Sequence, residues 1–189
     1  MNQTHKIVFI GEPGAGKTTC IAALSQVPPV STDVECTDEL AERKATTTVA
    51  LDYGELDLGD QGRLLLYGLP GQSRFRFMFD VVRDGLLGAV VLVDASANTA
   101  LAGLAETLET YAGELGRLPC VLALNKDAVA GEAMRQDCLD LLRRHGLVAP
   151  ALVLDARRRE DIIRAFDLLF MQLEFGHDLN PATEATPWA

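Results

Sequence analysis

No apolar run in this chain approaches the ~18 residues that a bilayer-spanning helix needs. The polar start Met1-Asn2-Gln3-Thr4-His5 does not read as a secretory signal. From these two absences a soluble, cytoplasmic protein is expected. Cysteine is sparse as well: Cys20, Cys36, Cys120 and Cys138 stand apart with no C-x-x-C pair, so neither a zinc knuckle nor a disulfide framework is indicated. Buried free thiols are the simpler reading. Positive charge is short, with 17 Lys and Arg against 27 Asp and Glu for a net charge of −10. That balance argues against a general nucleic-acid surface, which needs a basic footprint. The clusters Arg74 with Arg76, Arg143 with Arg144, and Arg157-Arg158-Arg159 read as solvated faces. The end Thr186-Pro187-Trp188-Ala189 holds no prenylation box, so no membrane anchor is expected.

What is present is enough for one packed domain, at 189 residues with 48% apolar. Short β-rich runs alternate with amphipathic helices, the pattern of a mainly parallel sheet covered on both faces. Strands are expected at about Ile7 to Ile10, Val49 to Leu56, Leu64 to Tyr67, Ala89 to Asp94, Cys120 to Leu124 and Leu152 to Leu154. Runs such as Ala89-Val90-Val91-Leu92-Val93 are apolar at every position, as central parallel strands must be. The second and third strands are joined by the turn-forming Gly59-Asp60-Gln61-Gly62 and are expected to pair as an antiparallel hairpin at the sheet edge. The expected fold is therefore α/β, a six-stranded mainly parallel sheet with one antiparallel edge strand and helices on both faces.

Helical stripes support this. Leu101, Leu104, Leu108, Tyr111 and Leu115 form one. Met134, Cys138, Leu141 and Leu142 face inward from a helix of about Glu132 to His145 that Gly146 should stop. Ile162, Phe166, Leu169, Phe170 and Leu173 share a face of the last helix. Residues 1–176 are expected to form the domain and 177–189 a flexible tail, with residues 28 to 44 as the only long irregular internal segment.

The most informative segment is Gly11-Glu12-Pro13-Gly14-Ala15-Gly16-Lys17-Thr18, a full G-x-x-x-x-G-K-[ST] loop directly after the run Lys6-Ile7-Val8-Phe9-Ile10. Its glycines let successive N–H groups turn toward phosphate oxygens, Lys17 reaches the β and γ phosphates, and the Thr18 hydroxyl can ligate Mg²⁺. A helix starting near Thr18 and Thr19 adds its positive dipole end. The candidate phosphate contacts are Gly14, Ala15, Gly16, Lys17, Thr18 and Thr19.

Three further segments stand where a nucleotide switch needs them. Lys44-Ala45-Thr46-Thr47-Thr48 ends the long loop, and a hydroxyl there can complete a Mg²⁺ shell when a γ-phosphate is present. Taken alone, the run is a β-branched strand entry. In Leu64-Leu65-Leu66-Tyr67-Gly68-Leu69-Pro70-Gly71-Gln72, a glycine at a strand end lets a backbone N–H approach phosphate, and Gln72 can orient a water. The same residues suit a type II turn over Leu69-Pro70-Gly71-Gln72. Cys120-Val121-Leu122-Ala123-Leu124-Asn125-Lys126-Asp127 is an apolar strand ending in groups able to read a purine, at the sheet edge where open α/β folds bind ligands.

In order and spacing these four segments resemble the Ras-like small GTPases, P-loop NTPases. The chain looks most like their bacterial branch, typified by the gliding-motility protein MglA and the conservon GTPases. The run from Tyr67 to Phe79, close to G-x-P-G-Q-x-R-F-x-F-M, is the discriminating element. The resemblance implies Lys17 and Thr18 on phosphate and Mg²⁺, Thr48 on Mg²⁺, and Gly71 with Gln72 at the γ-phosphate. It further implies Asn125, Lys126 and Asp127 at the base, and the Ala156 N–H on a guanine oxygen. Arg43 and Arg74 are candidate arginine fingers. The implied function is a GTP/GDP switch with slow Mg²⁺-dependent hydrolysis, partnered by a Roadblock-type, MglB-like activator or another protein effector. A P-loop kinase or ATPase and a non-hydrolysing nucleotide-binding scaffold are the alternatives. Three departures stand out: Gly68 where most members carry an aspartate supporting Mg²⁺, Asp127 one place early with Ala128 in the usual acidic position, and Pro13 for a common glycine.

Overall fold

The computed structural model describes residues 4–28, 30–35, 48–126 and 131–176. The chain opens with β1 (Thr4–Gly11), whose side chains alternate between two covered faces. Ile7 and Phe9 enter a core with Ile21, Leu24, Val90, Leu92 and Phe166, while Val8 and Ile10 enter one with Val91, Leu104, Leu108, Tyr111 and Leu142. All four β1 side chains are fully buried. An unbroken apolar run is what two covered faces require.

After the phosphate loop comes α1 (Lys17–Leu24), then β2 (Val30–Glu35) and β3 (Thr48–Asp57). A 3₁₀ turn at Gly59–Gln61 leads into β4 (Arg63–Pro70), and a second at Ser73–Phe75 into the short α2 (Phe77–Val82). The rest alternates: β5 (Leu86–Asp94), α3 (Ala100–Leu115), β6 (Cys120–Asn125), α4 (Gly131–Arg144), β7 (Ala151–Leu154) and α5 (Arg159–Gly176). The sheet order is β2-β3-β4-β1-β5-β6-β7, with β3 alone running against the rest. From β1 the chain runs to the far edge at β2, returns through β3 to β4 beside β1, and then crosses to β5 on the other side, so a crevice forms at the carboxyl ends of β1, β5 and β6.

The six expected strands and the α/β class with one antiparallel strand are present. The sheet gains a seventh strand where residues 28 to 44 were expected to be irregular. Val30–Glu35 pairs antiparallel outside β3, so β3 is not the edge. Residues 48–51 pair with β2 alone, because β4 joins the ladder only from Asp52. The type II turn expected at Leu69-Pro70-Gly71-Gln72 does not form. Gly71 lacks the positive φ that turn needs, and β4 instead stays paired with β1 through Pro70 opposite Gly11. Phe170, expected inward, is 37% exposed. At ~100° per residue it lies about 80° round the helix from Ile162, off the stripe of Ile162, Phe166 and Leu169. Gly146, at φ 74°, stops α4 as expected, with the Leu147 N–H donating to the Leu142 carbonyl. Residues 177–189, the expected tail, lie outside the described residues.

Candidate functional site

The phosphate loop is closed by backbone conformations that only glycine adopts easily. Gly14 sits at φ 82° and Gly16 at φ 109°. Gly16 has a second constraint, since a Cβ there would run into the Asn125 amide. Lys17 folds over the loop, its ammonium donating to the Gly11 carbonyl at 2.7 Å and the Glu12 carbonyl at 2.8 Å. Burial pushes this ammonium below the ordinary lysine value, against the pull of the Asp52 and Glu12 carboxylates. Glu12 turns toward α3, where a Cβ on Gly103 would collide with it. One of its oxygens is buried with no hydrogen-bond partner among the described residues.

Beside the loop, Thr18 Oγ1 donates to Asp52 Oδ2 at 2.5 Å. Asp52 stands on β3 directly opposite Gly68 of β4. Among the described residues no group of three or more His, Cys, Asp or Glu is placed to hold a metal. A Mg²⁺ ion still fits here, because it takes most of its ligands from phosphates and water and needs only one or two protein oxygens. The Thr18 hydroxyl with a carboxylate behind it is such a donor set.

The end of β4 is held against both the phosphate loop and α3. The Gly71 N–H donates to the Gly11 carbonyl at 3.0 Å, and the Tyr111 hydroxyl donates to the Pro70 carbonyl at 3.0 Å. A Cβ at Gly71 would strike the buried Thr107 hydroxyl, so close approach is what glycine permits here. Gln72 follows, half-buried, its Oε1 accepting from Arg74 Nη2 at 3.0 Å. The Arg74 guanidinium also lies over the Phe75 ring, 4.6 Å from its centre.

The other end of the cleft is a cavity of about 710 Å³ lined by Gly14, Thr19, Asn125, Lys126, Ala156 and Arg157 among others. Asn125 is 3% exposed. Its Nδ2 donates to the Ala15 carbonyl at 2.8 Å and its Oδ1 accepts from the Ala156 N–H at 3.1 Å. One side chain thus ties the phosphate loop, β6 and the β7–α5 turn together. Lys126 is the one non-glycine residue with positive φ, 61°, among those described. Its Nζ bridges the Gly14 carbonyl at 2.9 Å and Asp94 Oδ2 at 2.7 Å. Burial pushes the Asp94 carboxyl up, but hydrogen bonds from Lys126 and Ser96 outweigh it and hold the carboxyl below its ordinary value. A larger cleft of about 1020 Å³ lies between α2 and α3 and includes none of the phosphate-loop residues.

The structure therefore brings Gly14, Ala15, Gly16, Lys17, Thr18, Thr19, Gly71, Gln72, Asn125, Lys126 and Ala156 around one crevice, with Arg74 on Gln72. Thr48 begins β3, at the same end of the sheet. Arg43 and Asp127 lie outside the described residues. Sequence reasoning missed Asp52, Asp94 and Glu12. Asp52 had a signal, an acid directly after the apolar run Val49-Ala50-Leu51, but its partner is a matter of hairpin register.

The sequence profile of the family described as "Conserved hypothetical ATP binding protein" matches residues 30–178. An uncharacterized protein of Methanocaldococcus jannaschii is 37% identical over 92 residues, 48% of this chain, and the match spans about half of that relative, 51%. The Ras-related protein Rab-18-B of Danio rerio is 23% identical over 172 residues, covering 88% of this chain and 77% of that one. Among solved structures, the Arl6 BBS3 small GTPase of Trypanosoma brucei with a bound GppNp analogue superposes with a TM-score of 0.64 at 17% identity, covering 91% of this chain and 98% of that chain. A Sar1-type small COPII coat GTPase of Encephalitozoon cuniculi in complex with GDP gives 0.62 at 20% identity, covering 95% and 84%. The fold is that of the Ras-like small GTPases, a P-loop NTPase fold.

Proposed function

The chain belongs to the conserved hypothetical ATP-binding protein family, and from that premise we propose that it is a nucleotide-controlled regulatory switch. In this reading it binds GTP and GDP, hydrolyses the triphosphate slowly with Mg²⁺, and acts by changing its protein partner. The observation that carries the reading is the bond from the Gly71 N–H to the Gly11 carbonyl at 3.0 Å. It seats the segment with Gln72 at the head of the phosphate loop, where a terminal phosphate can replace the carbonyl as partner and draw the segment into a second position.

On binding, Lys17 exchanges its two carbonyl partners for β- and γ-phosphate oxygens, and the N–H groups of the loop and first turn of α1 hold the rest. A bound Mg²⁺ neutralises phosphate charge; Thr18 would ligate it, joined by Thr48 in the triphosphate state. Gln72 orients the attacking water, and Arg74, already on Gln72, or Arg43 supports the developing charge. The intrinsic rate is low until an activator sets an arginine against the transferring phosphate. Asn125, Lys126, Asp127 and the Ala156 N–H would frame the base. The placement in the MglA and conservon branch, with a Roadblock-type activator, rests on the run from Tyr67 to Phe79.

Adenine is the second reading of the base. It is favoured by the family's description and by Ala128 where guanine readers usually carry the acid. GTP and ATP titrations with and without Mg²⁺, followed by a phosphate-release assay, test all of this. Tighter binding of GTP, dependence on Mg²⁺ and slow phosphate release are expected. Displacement of labelled nucleotide by ATP as well as by GTP overturns the guanine preference. Binding without release leaves a scaffold.

A further inference from the structure

Gly68 leaves the end of β4 without a carboxylate, yet the metal corner has one. Asp52 lies opposite Gly68 across the β3–β4 ladder. A Cβ on Gly68 would come within 3.0 Å of the Asp52 Cβ and 3.1 Å of its Oδ2. The two positions therefore face one side-chain space, and a second acid at 68 would crowd Asp52. Here β3 carries the acid.

We infer that Asp52 is the positioning residue for the divalent cation at Thr18, doing from β3 what an acid at position 68 would do from β4; this rests on the nucleotide-binding reading above. A threonine hydroxyl has one proton to donate and two oxygen lone pairs. The Thr18 proton is committed to Asp52 Oδ2 at 2.5 Å, which leaves the oxygen as a pure donor toward a cation. The carboxylate is half-buried, so its charge acts on the corner with less screening than a surface acid would. A hard cation that keeps much of its water is served by such an acceptor for its hydroxyl ligand and its waters.

The experiment compares nucleotide affinity with and without Mg²⁺, using a fluorescent GDP, for the wild type, Asp52→Asn and the double variant Asp52→Gly with Gly68→Asp. Mn²⁺ binding to each GDP complex, read by electron paramagnetic resonance, gives a second signal independent of turnover. Asparagine keeps the shape and an acceptor oxygen for Thr18 but loses the charge. In Asp52→Asn the Mg²⁺ enhancement of affinity and the Mn²⁺ affinity should each fall about 10-fold or more, the range for a lost outer-shell partner. Affinity without metal should stay close to wild type. The double variant should recover most of the metal effect, since it moves the acid back across the ladder into the same space. Full Mg²⁺ enhancement in Asp52→Asn, or loss of its metal-free binding, makes Asp52 a structural acceptor and overturns the inference. A wild type that binds GDP with no metal dependence overturns it too. A wild type that binds no nucleotide overturns the nucleotide reading itself.

Discussion

The two ends of the crevice are built on different principles. The phosphate end is built round a continuous loop with one lysine and one threonine, and that loop lies wholly between Gly11 and Thr18. The base end is a set of cross-links between distant segments. Asn125 joins Ala15 and Ala156, and Lys126 joins Gly14 and Asp94. A phosphate group presents the same oxygens in every nucleotide, so a local loop suffices to hold it. A base must be told from other bases, so it needs groups set by the tertiary structure. The departures from the resembled pattern fall at both ends: Pro13 lies in the loop, whose motif stays complete, Gly68 at the metal corner and Ala128 at the base end.

The largest effect should come from the phosphate end. Lys17→Ala removes the one loop side chain placed to neutralise the β and γ phosphates, and triphosphate affinity should fall more than 100-fold, about 3 kcal/mol. The melting temperature without nucleotide should change little, because the lysine's own partners are only two carbonyls. A folded variant of unchanged affinity would remove the phosphate reading.

At the base end the first consequence should be structural. Asn125→Ala deletes two buried hydrogen bonds and strands the Ala15 carbonyl and the Ala156 N–H. The cost should be about 2 kcal/mol of folding stability, with a melting temperature lower by roughly 4–8 °C. Calorimetry that finds no destabilisation would make the cross-link dispensable.

Gln72 stands at the head of the phosphate loop. If it orients the water, Gln72→Leu should lower single-turnover hydrolysis at least 10-fold, about 1.4 kcal/mol of barrier, with triphosphate affinity nearly unchanged. Wild-type turnover in this variant, with and without an activating partner, would shift the reading toward a kinase or scaffold.

The smallest effect concerns Asp94. Its folded-state carboxyl lies below the ordinary 3.8, so its stabilisation is fully present above that pH and is lost as pH falls through the lower folded value. Asp94→Asn should therefore cost about 1 kcal/mol near neutrality, a modest figure because Lys126 is 47% exposed and screened by solvent. Denaturant curves of the two proteins should draw together as pH falls below about 3.8 and converge once it is below the lowered folded value. A gap that persists there would mean that packing, not charge, ties Asp94 to Lys126.

Strands with unbroken apolar runs were legible because burial on both faces leaves no other composition open to them. The strand Val30–Glu35 was not legible, since Val-Ser-Thr-Asp-Val-Glu carries neither a run nor a clean alternation. Its pairing with β3 alone decides its conformation, as is usual where strand preference depends on the neighbour. Phe170 shows the same limit on a helix, where a position at the margin of the stripe is settled by what packs beside it.

By itself the sequence determined the phosphate loop, its glycines and the α/β alternation, because these are properties of consecutive residues and of their periodicity. Only the tertiary structure decided which acid stands at the metal corner and which carbonyls the base-end side chains hold. Asp52 lies 34 residues from Thr18 in the chain, and Asn125 lies 110 from Ala15. The register of the β3–β4 ladder placed Asp52 opposite Gly68. Register is a collective outcome of strand pairing and turn geometry, and no short window of residues contains it.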